Sequence, residues 1–256
     1  MAFLIRHPAL IDRGSGTPVI VIPGIQGRWE WMKPAVDALA KRCRVITFSL
    51  GGGRSVDRYI RQIDDALDRA GLDRAALCGV SMGGIVALRY AATRPDRTSS
   101  LVLVSTPGPR WKPNRRQAFF AKHWLIGSPL FVVNAVRGLL PEVASARKGW
   151  WPAVAFMSRH GARTLRYPAS AWRMKQRFDA WLGDPRESLC ERIAAPTLIV
   201  TGDAALDRVV PVEGTLEYVR EIQGARVTVL EETGHIGLVT RPDRFAEIVA
   251  SFAQNA

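Results

Sequence analysis

Cysteine is scarce in this 256-residue chain: Cys43, Cys78 and Cys190 are the only three, with no CxxC pair. An odd, scattered set excludes a disulfide framework and a zinc ribbon, so the three read as reduced packing residues of a cytoplasmic protein. Long apolar runs are missing as well, and none approaches the roughly 20 residues of a membrane span. The apolar start of the N-terminus is too short for a signal core and is followed by no cleavage-like site. Internal repeats and low-complexity tracts are absent. Histidine is limited to His7, His123, His160 and His235, which leaves few candidates for any base or metal ligand. No metal and no organic cofactor is expected.

Acidic residues are the minority, 23 against 36 Lys and Arg, for a net charge of +13. The excess is uneven. Residues 1–109 carry a net +6, residues 110–192 a net +11 and residues 193–256 a net −4. No nucleic-acid-binding motif accompanies the basic middle segment, so it reads as an Arg-rich solvated face and no nucleic-acid partner is expected.

What the chain does have is alternation. Short runs rich in β-branched residues occur at Val19–Ile22, Arg44–Phe48, Ala75–Gly79, Ser100–Val104, Thr197–Thr201 and Arg226–Leu230. Runs of this length closed by turn signals suit strands buried on both faces of a parallel sheet. Between them lie amphipathic stretches. Over Asp57–Ala70 the residues Tyr59, Ile60, Ile63, Ala66 and Leu67 fall on one face, and Gly71 follows as a cap. A last helix begins near Pro242 and places Phe245, Ile248, Val249 and Phe252 together. The order predicts an α/β fold with a doubly wound, mostly parallel sheet. Residues 107–195 break the pattern: they hold six of the eight tryptophans and helix-like pieces without a strand. The expected division is a core of 1–109 and 193–256 with a helical cap of 110–192.

The sharpest local signal is Gly79-Val80-Ser81-Met82-Gly83-Gly84, between a strand pattern and a helix pattern. A serine on such a turn projects its hydroxyl out of the sheet, and the flanking glycines admit close backbone. The following helix points its positive end at the site. A serine hydroxyl needs a base to take its proton. His235, in Glu-Thr-Gly-His after the sixth run, lies where a parallel sheet collects its ligands. The acid that orients the base must be Asp203 or Asp207, because the alternative position after Ser100–Val104 offers only Ser105 and Thr106. Asp207 is preferred, since Val209-Val210-Pro211 after it resembles the approach to a helix.

The order serine, aspartate, histidine resembles the α/β-hydrolase superfamily, through GVSMGG, GDAALDRVVP and GHIGLVTRPDRF. It is similar to the serine-nucleophile esterase, lactonase and C–C hydrolase branches, over residues of about 15–109 and 193–253. The resemblance does not cover the helical cap, which is expected as an insertion after the sixth strand. It implies that the backbone N–H groups of Ile25 and Met82 form the oxyanion hole. Two departures stand out. The family's usual His-Gly is replaced by Pro23-Gly24-Ile25-Gln26-Gly27, which keeps the backbone donor but loses the imidazole. Leu50-Gly51-Gly52-Gly53-Arg54-Ser55 lacks a bulky middle residue, and the helix starts so soon afterwards that one side of the site mouth should be more open. Gln26 is a substrate-binding candidate beside the oxyanion loop; Trp29, with Trp31, is a candidate pocket wall.

The activity implied is cleavage of a carboxylic ester or lactone through an acyl-serine intermediate. The expected partner is a small-molecule substrate, and the protein a monomer or homodimer. Serine at the elbow argues against haloalkane dehalogenases and epoxide hydrolases, which carry aspartate there. Cleavage of a C–C bond in a vinylogous diketone acid by the same triad is the alternative. Perhydrolase-type activity, or a ligand-binding, receptor-like member with incidental hydrolysis, completes the set.

Overall fold

The computed structural model describes residues 9–113, 115, 118–119, 137–182 and 186–256. His7, His123 and Trp124 lie outside them. Seven strands form one sheet: β1 (Leu10–Arg13), β2 (Pro18–Ile22), β3 (Arg44–Phe48), β4 (Ala75–Val80), β5 (Thr98–Val104), β6 (Thr197–Thr201) and β7 (Arg226–Val229). Their order is β1-β3-β2-β4-β5-β6-β7, and only β1 runs antiparallel to its neighbour. Among the described residues five strands precede the inserted segment, which leaves the sheet after β5, where the expectation counted six. One expectation changes: β7 is not buried on both faces but closes the edge, with Val227 and Val229 each 46% exposed.

The central strands explain the apolar runs. Every residue of β4 is buried, as a strand covered on both faces requires. Helices α1 (Lys33–Leu39), α2 (Val56–Arg69), α3 (Met82–Thr93), α4 (Trp150–Arg166), α5 (Ala171–Leu182), α6 (Arg186–Cys190), α7 (Val212–Glu221), α8 (Gly237–Thr240) and α9 (Pro242–Gln254) supply the covers. One face packs Tyr59, Ile63 and Leu67 of α2, Leu88 of α3 and Tyr218 of α7 against Ile20, Leu77 and Leu101. The other packs Val36 and Leu39 of α1 with Phe245 and Val249 of α9 against Val19, Ala76 and Val102. Local chemistry sets the helix ends. Ser55 accepts the Asp57 N–H at the start of α2, Gly71 takes φ +66° beyond its end, and proline opens α9.

The described part of the inserted segment forms helices joined by short loops, and it is tied to both cores. Phe178 and Trp181 of α5 and Leu189 of α6 join the first core, whereas Val143, Ala153 and Phe156 join the second. Its outer surface keeps Trp150, Trp151 and Leu165 exposed. No helix among the described residues is long and apolar enough to cross a membrane.

Sheet register positions the site. Ile22 pairs with Gly79, Val80 with Val104, Val104 with Val200 and Thr201 with Val229. The C-terminal ends of five strands therefore lie level, and the segments beyond them meet along one edge.

Candidate active site

Ser81 sits at the junction of β4 and α3 with φ 53° and ψ −123°, a conformation a side-chain-bearing residue rarely adopts. Its N–H donates to the Val104 carbonyl at 2.8 Å, and its carbonyl accepts the Gly84 N–H at 2.9 Å. The glycines around it are sterically required. A Cβ on Gly79 would lie 2.4 Å from the Gly83 carbonyl oxygen, and one on Gly83 2.4 Å from the Ile22 oxygen. Met82, the first residue of α3, is buried, and the helix amide dipoles converge on this turn.

Two loops stack to form the opposite side. Gly202 lies against Thr233, where a Cβ would meet the carbonyl oxygen at 2.5 Å; Gly234 lies against Leu206 and Asp207 in the same way. The glycines of Gly202-Asp203 and Gly234-His235 thus let the acid loop and the base loop touch through backbone. Across that contact His235 Nδ1 faces Asp207 Oδ2 at 3.3 Å. The other carboxylate oxygen of Asp207 accepts the N–H groups of Val209 and Val210, each at 3.0 Å. Asp203 instead joins the two loops, its carboxylate accepting the Glu232 N–H at 2.6 Å. A cavity of about 10 Å³, room for about one water, lies at the foot of His235 and is lined by Val104, Ser105 and Thr201.

The electrostatics follow the geometry. Burial disfavours a charged His235, but the Asp207 charge and hydrogen bond, with a smaller contribution from Glu142, outweigh it and raise the imidazole pKa. Burial likewise opposes ionisation of Asp207; His235 and the two N–H donors more than compensate and hold its pKa below the usual range. A buried carboxylate with its base at hand and a serine at a strained elbow suit proton abstraction and nucleophilic attack.

The Gly24–Gly27 loop, whose Ile25 N–H the resemblance assigned to an oxyanion hole, lies beside the elbow. A Cβ on Gly24 would sit 3.4 Å from Ser81 Cβ and 3.2 Å from Gln26 Oε1, so Gln26 folds its amide over Gly24. Ile25 is half-buried against the first core. Trp29 opens a 3-10 turn, Trp29–Met32, and packs against the second core; Trp31 Nε1 donates to the Tyr167 carbonyl at 2.9 Å. The opening anticipated beside Gly51–Gly53 is filled. Without side chains there, α5 comes down onto the loop, and a Cβ on Gly52 would meet Gln176 at 2.8 Å.

Of the three buried charges in the described part of the inserted segment, Glu142, Arg177 and Arg186, the first two lie beside the candidate site and escaped sequence reasoning. Glu142 is fully buried and accepts the Ile236 N–H at 2.9 Å, next to His235. Burial, opposed by the Gly234 N–H, the His235 charge and the Ile236 N–H, pushes its pKa up to about 7. Arg177, 2% exposed, donates to the Ile25 carbonyl in the loop beside the elbow. Each had a faint signal, a charge within an apolar pattern: Leu139-Leu140-Pro141-Glu142-Val143, and Met174, Arg177, Phe178 and Trp181 at helical spacing. Among the described residues no group of three or more His, Cys, Asp or Glu could hold a metal ion.

Comparison with known proteins agrees with this architecture. The poly(3-hydroxyalkanoate) depolymerase of Ectopseudomonas oleovorans is 26% identical over 250 residues, covering 93% of this chain and 84% of that one. The 2-hydroxymuconate semialdehyde hydrolase of Pseudomonas sp. CF600 is 27% identical over 274 residues, covering 96% and 90%. The enol-lactonase of Burkholderia xenovorans LB400 superposes with a TM-score of 0.78 at 19% identity, covering 96% of each chain. The family model described as the alpha/beta hydrolase family matches residues 19–248, and the chain belongs to that family.

Proposed function

We propose that this protein is a serine hydrolase that cleaves a carboxylic ester or lactone through an acyl-serine intermediate. The observation that carries the reading is the Asp207–His235 pair facing the sheet edge on which Ser81 occupies its positive-φ elbow. In this reading residues 1–109 and 193–256 are the catalytic core and 110–192 the cap. Ser81 Oγ attacks the acyl carbon while His235 takes its proton. The N–H groups of Ile25 and Met82 receive the developing oxyanion. His235 then protonates the leaving alkoxide, and a water activated by the same imidazole releases the acid. Asp207 holds the imidazole tautomer throughout. Gln26 is assigned to the substrate's polar group and Trp29 to the wall of its pocket.

The names of a poly(3-hydroxyalkanoate) depolymerase and an enol-lactonase among the similar proteins support this choice. The C–C alternative draws on the semialdehyde hydrolase relative. A panel of p-nitrophenyl esters, lactones and dienoic keto acids separates the two. Ser81→Ala is expected to abolish turnover and labelling by a fluorophosphonate. Retention of more than a few per cent of activity, or labelling elsewhere, would overturn the nucleophile.

A further inference from the structure

Arg177 is the largest fully buried side chain among the described residues, and no carboxylate among them pairs with it. Its guanidinium is spent on three carbonyls far away in sequence. Nη1 donates to Ile25 at 2.8 Å, and Nη2 donates to Leu50 at 2.6 Å and Gly51 at 3.0 Å. The loop these bonds grip is Gly24–Gly27. The Gly27 N–H donates to the Gly24 carbonyl at 2.8 Å, and the Gly27 carbonyl accepts the Leu50 N–H at 2.9 Å. Three of the loop's four carbonyls are therefore held, those of Gly24, Ile25 and Gly27. Both peptide planes that flank the Ile25 Cα are fixed, including the plane that carries the Ile25 N–H. Gly27 completes the fit. It takes φ +66°, and a Cβ there would lie 2.3 Å from the guanidinium carbon.

We propose that Arg177 is a positioning residue for the oxyanion loop, through which a helix of the inserted segment sets the direction of the Ile25 N–H and adds a fixed positive charge beside it. The inference rests on the acyl-serine reading and goes beyond it by giving α5 a part in the chemistry. The arrangement suits a preorganised donor. A peptide plane free to rotate would have to reorient as the oxyanion forms, whereas one already held in place needs no reorientation. Burial, and to a smaller degree Arg173 and Arg28, pull the Arg177 pKa down to about 10 against an opposing effect of Tyr59, so the group stays cationic at neutral pH. Lysine cannot replace it fully, because a compact ammonium lacks the planar fork that spans Ile25 and Leu50 together.

The test uses full-length Arg177→Met, Arg177→Lys and Gly27→Ala, each checked for a cooperative thermal transition. Readouts are kcat and KM on a p-nitrophenyl ester and the inhibition constant of phenylboronic acid. The Ser81 oxygen adds to the trigonal boron and its proton passes to His235, giving a tetrahedral boronate in the place of the oxyanion. Arg177→Met is expected to lower kcat by about 10²-fold, the loss typical of one oxyanion donor, with KM within about threefold. Boronate affinity should fall in parallel. Arg177→Lys should recover about tenfold of that loss, and Gly27→Ala should reproduce the defect by displacing the guanidinium. If Arg177→Met does not fold, the other two variants decide. A folded variant of either residue with wild-type kcat and boronate affinity overturns the proposal, as does a change confined to KM. Activity surviving in Ser81→Ala would place the failure in the acyl-serine reading; loss of activity there together with intact Arg177 variants would place it here.

Discussion

The His235 side of the candidate site and the side proposed to receive the oxyanion are each reached by one buried charge from the inserted segment, and the two charges have opposite sign. Glu142 contacts the backbone beside His235, a group that becomes cationic when it takes a proton. Arg177 contacts the loop proposed to receive negative charge. Each therefore sits where the proposed reaction would develop the opposite charge. They differ in one respect that matters. Arg177 keeps its proton across the physiological range, with a pKa near 10, whereas Glu142, at about 7, changes charge within it. One side of the site is electrostatically constant and the other is adjustable.

The largest effect that would break this comparison lies on the base side. Asp207→Asn is expected to reduce kcat by about 10⁴-fold, because asparagine preserves shape but favours the wrong tautomer and cannot stabilise the imidazolium. Asp203→Asn should cost less than about tenfold, since an amide oxygen can still accept the Glu232 N–H. Equal losses would reverse the roles of the two aspartates. A kcat measurement on the paired variants decides.

Glu142→Gln probes the adjustable charge. The Glu142 carboxylate helps to raise the His235 pKa, and the base must be neutral to act, so kcat/KM rises as pH passes upward through that pKa. Removing the charge lowers the imidazole pKa, and the acid limb of the pH profile should move to lower pH by up to about one unit. Stability should respond too. Folded Glu142 keeps its proton up to about pH 7, but the unfolded chain loses it in the ordinary carboxylate range. Stability is therefore fully present below that range and declines as pH rises through about 7. Glutamine has no proton to lose. Its advantage over the wild type in denaturant titrations should grow between pH 5 and 8 by about 2–3 kcal/mol. A constant difference would mean that Glu142 is ionised throughout.

The smallest expected effect tests whether positive charge matters beyond Arg177. Residues 110–192 carry a net +11. Of two esters differing only by a terminal carboxylate, the anionic one should have a kcat/KM about 2–10-fold higher at low ionic strength, and salt should erase the advantage. A neutral ester that wins at low salt makes the excess charge a surface property.

How much of this was readable in the chain depends on distance along it. The elbow is local: strand, Gly79–Gly84 and helix succeed one another within a few residues, and their pattern places Ser81 between β4 and α3. The sheet's central strands were equally plain, because burial on both faces writes a continuous apolar run. Strand β1 was not, since Leu10–Arg13 is half polar and pairs along one edge only. The Asp207–His235 contact joins residues 28 apart, and sequence could only rank Asp207 above Asp203 by the Val209-Val210-Pro211 run beyond it. Arg177 and Glu142 lie further out of reach. Their partners are about 90 to 150 residues away, and a charge inside an apolar pattern does not say which backbone it will meet.

The elbow's glycines have a consequence for how this enzyme can diversify. At Gly79 and Gly83 the missing Cβ is replaced by main chain, which no rotamer change can move aside. Those two positions are closed to variation however the surroundings change. Gly84 differs, because its obstacle is the side chain of Thr106, with Oγ1 1.9 Å from the Cβ position. Trimming Thr106 to glycine removes the three nearest obstacles to alanine at position 84, so the order in which the two changes arise bears on whether the second is tolerated. A lineage exploring new substrates therefore has a conditional path at one glycine of the elbow and none at the other two, and its freedom lies in the helices laid over the site.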